Sequence, residues 1–246
     1  MLIDSLTFVL GKSGALDDFW DKLDAGEDAT LGIASSARPF LAAAQFARKP
    51  QPTLAVVAGE EGAISFARNV AAYLGEDRVL PFPERTDTPF APKTPDARKV
   101  ARRMEAAWAL ASGRSRMVVA SARALVRTLP PASAYVEAPL VIETGRELAE
   151  AASEGPNALP AKLRARCVVE TFEDLARALE GRGYANTGEL DGPGTFGVHG
   201  GTLDVFPGNL TYPVRIDFFG DEVDEIRRIV PSTGQTISSL DRVEIF

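Results

Sequence analysis

Apolar and polar positions along this chain fall into two regimes. Through the first half, short apolar runs alternate with longer stretches whose apolar residues recur at three- and four-residue spacing. The runs at residues 30–35 (TLGIAS), 53–59 (TLAVVAG), 78–83 (RVLPFP) and 116–121 (RMVVAS) predict four strands. The stretches ARPFLAAAQFARK, EEGAISFARNVAAYLG, DARKVARRMEAAWALASG and ARALVRTL predict the intervening helices. Their punctuation agrees: Pro39 falls near a first turn, Asp96 is an N-cap, and Gly75 and Gly113 are C-terminal stops. Strands alternating with helices imply a parallel sheet covered on both faces.

The second half changes period. TFEDLARALEGRGY is a helix opened by a capping box of Thr171 and Asp174. After it come short β signals separated by turns: GTFGVHG, GTLDVFP, YPVRIDFFG, DEVDEIRRIV and VEIF. These predict a mostly antiparallel sheet with one or two helices. The fold class is therefore α/β, a parallel-sheet domain over residues 1–131, followed by a smaller α+β domain over residues 132–246, with the boundary near residues 130–134.

Charge supports that division. The 246 residues carry a net charge of −7. Residues 1–131 hold 17 basic and 15 acidic side chains, whereas residues 132–246 hold 10 and 19. An acidic chain is a poor non-specific nucleic-acid binder, because phosphate neutralisation dominates that affinity. One cysteine, Cys167, allows no internal disulfide, and one histidine, His199, allows no multi-histidine metal site. No apolar run approaches the roughly 20 residues that a membrane helix needs. A cytoplasmic protein without metal or cofactor is expected.

Two segments invite a chemical reading. The first is GIASSARP, residues 32–39, where a strand would open into a helix. A phosphate-binding loop of the G-x-x-x-x-G-K-[ST] kind needs glycines for backbone wrapping, a lysine for the β/γ oxygens and a hydroxyl for Mg²⁺. Gly32 is present, but Ala37, Arg38 and Pro39 stand where the second glycine, the lysine and the hydroxyl belong. Three departures together argue against nucleotide binding and for a plain connecting loop.

The second is DGPGTFGVHGGTLDVFP, residues 191–207. In a strand, Phe196, Val198 and Gly200 share one face, and Gly197, His199 and Gly201 the other. No nucleophile or carboxylate at catalytic spacing accompanies His199. Leu203, Val205, Phe206, Phe218 and Phe219 read as sheet core, and Asp204 and Pro207 as turn and strand-end determinants. Arg215 and Asp217 lie two apart and face the same way, which allows them to pair. The acids of GDEVDE read as a solvated hairpin rather than a metal site.

The combined pattern resembles the N-terminal module of the bacterial transcription-repair coupling factor family, which is itself similar to the first part of UvrB. The resemblance rests on GRGY (181–184), GTFGVHGGTLDVFP (194–207), YPVRIDFFGDEVDEIRRI (212–229) and STGQT (232–236). More loosely, it extends to LPFPERTDTPF, DARKVARRMEAAWAL and VVASARALVRTLPP. UvrB keeps a working phosphate loop; this chain does not, which points to the coupling factor.

The resemblance implies a helicase-like domain 1a with a degenerate phosphate loop, followed by domain 2, the surface that binds UvrA. It implies a non-catalytic, monomeric module that recruits UvrA in nucleotide excision repair; the alternative is a fragment of an ATP-dependent UvrB-type repair enzyme. RNA polymerase and DNA would be contacted only by regions absent from these 246 residues, so the chain looks like an excised fragment or a product lacking the motor. The implied UvrA-binding residues are Arg177, Arg182, Tyr184, Asn186, Phe196, His199 and Gly200. His199 stands at an arginine position of the family pattern, and Asn186 where arginine often follows G-Y. Direct DNA binding through DARKVARR is a third, weaker reading.

Overall fold

The computed structural model describes residues 11–12, 14–85, 96–126, 129, 139–148, 169 and 171–246. The proposed boundary at residues 130–134, Cys167 and most of the Pro/Thr-rich segment 83–95 lie outside them. The chain is mixed α/β and divides into two compact units, residues 1–82 with 113–127 and residues 83–112 with 128–246.

In the first unit, strands β1 (Thr53–Val57), β2 (Val79–Phe82) and β3 (Met117–Ser121) form a parallel sheet in the order β1-β3-β2. The central β3 is buried along its whole length, as its unbroken apolar run requires. Helices α1 (Asp17–Asp24), α2 (Arg38–Arg48) and α3 (Glu60–Leu74) enclose the core. There Trp20, Phe46, Val70, Leu74 and Met117 pack together. Gly75 ends α3 with φ of 96°, a conformation that glycine adopts without a side-chain penalty. A short helix α5 (Ala122–Leu125) follows β3, capped by the Ser121 hydroxyl.

Two expectations are corrected in this unit. Residues 30–34 form no strand: Gly32 and Ala34 are exposed, Leu31 and Ile33 bury only partly, and the run joins no ladder. Cover on both faces holds for the central β3 but not for the edge strand β1, which leaves Leu54 and Val56 about half exposed.

The second unit contains α4 (Ala97–Ala111), β4 (Leu140–Glu143) and α6 (Phe172–Gly181). It continues with β5 (Ala185–Asn186), β6 (Thr195–His199), β7 (Thr202–Phe206), β8 (Val214–Phe219), β9 (Glu222–Ile229), β10 (Thr236–Leu240) and β11 (Arg242–Ile245). Six strands form one sheet in the order β10-β9-β8-β7-β6-β5, antiparallel except for the β5–β6 pair. The segment VEIF does not join it; β11 pairs with β4 in a separate two-stranded sheet.

Both predicted caps form. Asp96 accepts from the backbone N–H groups of Arg98 and Lys99, at 2.9 and 3.3 Å. Thr171 accepts from the Asp174 N–H at 3.2 Å and donates its hydroxyl to the Asp174 carboxylate at 2.9 Å. Helix α6 then turns Leu175 and Leu179 onto the sheet core of Phe196, Leu203, Val205, Ile216 and Ile226.

Helix α4 lies against the loops of this sheet. A side chain at Gly208 would sit 2.6 Å from the Ala97 carbonyl oxygen, and one at Gly194 would sit 3.2 Å from the Ala97 side chain. Only glycine admits so close a helix backbone. Arg98 adds a hydrogen bond to the Leu210 carbonyl at 3.2 Å and lays its guanidinium over the Phe206 ring.

Candidate functional site

Strand alternation sorts the six-stranded sheet into two chemically different faces. Phe196, Leu203, Val205, Val214 and Ile216 turn inward and are fully buried. On the opposite face, register aligns Gly197, Asp204, Arg215, Arg227 and Ser239 in one row across five strands. His199, Thr202, Asp217 and Glu225 form the neighbouring row. This face is polar, and most of its charges are paired.

Arg215 does not pair with Asp217. It grips Asp204 on the adjacent strand, with Nε donating to Oδ1 and Nη2 to Oδ2, both at 2.7 Å. Asp204 is thus no turn determinant; it is a buried mid-strand carboxylate. Its hydrogen bonds raise the Arg215 pKa further above its ordinary value, against the opposing effect of burial. Asp217 instead accepts from the Thr202 hydroxyl at 2.7 Å and from Arg227. Arg227 also lies 3.4 Å from Glu225, which accepts from the Ser239 hydroxyl at 3.2 Å. Asp204 and Arg215 are register partners on β7 and β8, whereas Asp217 and Arg227 meet diagonally across β8 and β9.

One end of this face carries a large apolar side chain. Val214, Ile216 and Phe218 pack toward the core side of β8, so alternation turns Phe219 outward, where it is 84% exposed. The extra residue of the bulge, Asp224, lies on β9, leaving the alternation of β8 intact. The core assignment of Phe219 is therefore corrected. Period-two alternation was a sufficient signal: two consecutive phenylalanines in a strand cannot both face one core. The Phe218 N–H donates to the Gly201 carbonyl at 2.8 Å, which brings Phe219 beside the β6–β7 turn. Gly200 makes that turn with φ of 62°.

His199 is exposed at the end of β6, and its Nε2 lies 2.8 Å from the Gly188 carbonyl oxygen. The segment after β5 leans over β6 at this point. A side chain at Gly197 would stand 2.1 Å from the same oxygen, so residue 197 must be glycine for the segment to pass.

The remaining predicted residues separate. Arg177 is exposed on α6 and pairs with Asp174 at 3.2 Å. Arg182 caps the end of that helix. Asn186 is exposed on the edge strand β5, in register with Phe196. Tyr184 and Phe196 are buried, which removes both from a contact surface. The Phe196 ring lies in the sheet core, and the Tyr184 hydroxyl donates to the Phe246 carbonyl at 2.7 Å. Burial pushes the Tyr184 pKa up to about 12, against smaller opposing effects of the Gly208 backbone and the Arg182 charge.

In the first unit, Gly32 lies in irregular backbone, residues 35–37 form a single 3₁₀ turn, and Arg38 opens α2 with Pro39 buried in its first turn. Among the described residues, no helix is long and apolar enough to cross a membrane.

Residues 169–246 match the family model of the UvrB interaction domain. The chain is 29% identical over 233 residues to a transcription-repair-coupling factor of Myxococcus xanthus, covering 92% of this chain and 18% of that protein. It is 26% identical over 221 residues to the transcription-repair-coupling factor of Bacillus subtilis, covering 89% and 17%. It is also 28% identical over 232 residues to UvrABC system protein B of Methanothermobacter thermautotrophicus, covering 89% and 32%. The chain thus spans less than a fifth of the coupling factors and about a third of that UvrB protein. The segment that matches the UvrB interaction domain, residues 169–246, contains the whole polar face and Phe219, and the chain is similar along most of its length to transcription-repair-coupling factors and UvrB proteins.

Proposed function

We propose that this chain is a non-catalytic docking module that recruits UvrA in transcription-coupled nucleotide excision repair. The observation that carries the reading is Phe219, a large apolar side chain held in solvent at the rim of a polar sheet face. An isolated aromatic on a rigid strand is the kind of anchor that dominates protein–protein binding energy. The surrounding ion pairs are closed within the sheet, so they shape the face while leaving the ring as its main apolar contact. His199 and Gly200 lie at the neighbouring β6–β7 turn, and Asn186 is exposed on the edge strand β5. Arg177 lies on α6 and Arg182 caps its end, and that helix packs against the core face of the sheet.

The helicase-like reading of the first unit gives it a scaffolding role. Ala37, Arg38 and Pro39 leave its phosphate loop without the groups that hold phosphate and Mg²⁺, so the module has no ATPase activity of its own. Contacts with RNA polymerase and DNA belong to other regions of the longer coupling factors. The module acts in the cytoplasm, as a monomer.

Calorimetric titration with purified UvrA of the same organism tests this. The chain binds, and Phe219→Ala weakens binding at least tenfold, as expected for an anchor residue. Absence of binding by the unsubstituted chain overturns the proposal, and saturable binding of ATP–Mg overturns its non-catalytic part.

A further inference from the structure

We propose that His199 is a latch that fixes the segment after β5 onto β6, and that it acts in docking through this segment rather than by its own charge. The inference extends the docking role proposed above to a residue whose side chain is engaged within the molecule.

Three observations converge. The His199 Nε2 lies 2.8 Å from the Gly188 oxygen. A carbonyl oxygen has no proton to give, so Nε2 must carry the hydrogen. Gly197 has no side chain, and any β-carbon there would meet that same oxygen at 2.1 Å. The strand is therefore cleared at residue 197 and armed with a donor at residue 199, and both features act on one carbonyl. The approach to this point is also ordered by backbone pairing: the Ala185 N–H donates to Gly194 O at 2.9 Å and the Thr187 N–H to Phe196 O at 3.0 Å. Beyond Thr187 this backbone ladder stops, and the His199 contact takes over.

The latch holds Gly188 over Gly197, at the end of the polar row that continues through Asp204 and Arg215. A partner that docks on this face meets an edge already ordered. What residue 199 must supply is a hydrogen-bond donor of the right reach, and a fixed positive charge is secondary.

The experiment separates these roles by comparing His199→Gln, His199→Arg, His199→Ala and His199→Glu. Glutamine and arginine can donate to the carbonyl; alanine and glutamate cannot. The chain's single histidine gives one assignable ring signal in nitrogen NMR, and in the neutral ring the proton is expected on Nε2. Amide exchange at Thr187 is expected to quicken about tenfold in His199→Ala and His199→Glu and to stay near the parent rate in His199→Gln, the scale of one lost hydrogen bond. The amides of Val205 and Ile216 serve as controls and remain unchanged. UvrA binding is expected to follow the same grouping, with glutamine and arginine close to histidine.

A neutral ring protonated on Nδ1, or Thr187 exchange in His199→Ala equal to that of the parent, overturns the latch. So does binding that orders by charge, with glutamine no better than alanine. If the exchange groups as expected but no variant and no parent chain binds UvrA, the latch stands and the docking function falls.

Discussion

Arg215 and Asp204 are joined by two parallel hydrogen bonds of 2.7 Å between neighbouring strands, with the carboxylate only 9% exposed and the guanidinium side chain 32% exposed. Planar groups held in this fork fix both the register of β7 against β8 and the chemistry of the polar face. Removing the acid strands a largely covered cation. Loss of one partner from a fully buried pair costs about 3–5 kcal/mol, and the partial exposure of Arg215 lowers this. Asp204→Ala is expected to destabilise the second unit by about 2 kcal/mol in urea denaturation, whereas Asp204→Asn, which retains one acceptor, costs less. Unchanged midpoints for both would show that the pair contributes no net stability.

Gly197→Ala tests the crossing of two backbones. The added methyl would stand 2.1 Å from the Gly188 oxygen, so either β6 or the overlying segment must move. A cost of about 1–3 kcal/mol is expected from this overpacking. The His199 ring signal should shift at the same time, because its acceptor is displaced. Gly200→Ala, at φ of 62° with open space around it, meets backbone strain without this clash and leaves the ring signal nearer its parent position.

Phe219→Ala separates binding from folding. A ring that is 84% exposed gives up little buried area, so thermal or urea stability should change by less than about 0.5 kcal/mol. UvrA affinity should nevertheless fall at least tenfold. Phe218→Ala provides the contrast. Its ring lies on the core side, with its centroid 4.9 Å from that of Phe172, and its loss should destabilise the fold. Equal stability losses at both positions would contradict the facing described for β8.

Tyr184 sets an alkaline limit. Its pKa is raised from 10.0 to about 12, so the folded state holds the phenolic proton more tightly than the unfolded chain does. Stability from this source is complete below about pH 10 and is lost as pH rises toward 12, a fall of about 2–3 kcal/mol over that window. Tyr184→Phe removes the hydrogen bond to Phe246 O, costs about 1 kcal/mol at neutral pH, and should flatten the alkaline decline. A wild-type decline that persists in Tyr184→Phe would assign the effect to another group.

Local signals carried much of this fold. The Thr171–Asp174 capping box, the Asp96 cap, the Gly75 stop and the alternation that buries Phe196 and exposes His199 depend on neighbours within a few residues. Their readings hold for that reason. The TLGIAS run failed as a strand because an apolar run becomes one only when another backbone pairs with it. The candidate site divided along the same line. Phe219 was legible from period two, while Tyr184 and Phe196 satisfied the family pattern from inside the core.

By itself, then, the sequence determined most of the element types and turns, the alternation that separates the two faces of the second sheet, and the family signature over residues 194–227. Only the tertiary structure decided which residues meet across distance. It set Asp204 against Arg215 and Asp217 against Arg227, paired β11 with β4, brought the Gly188 carbonyl onto Gly197 and His199, and laid α4 against Gly194 and Gly208. The physical reason is that period and propensity are properties of consecutive residues. Register and backbone crossings are set when separate segments exclude water from a shared core, and no short window of sequence contains both partners.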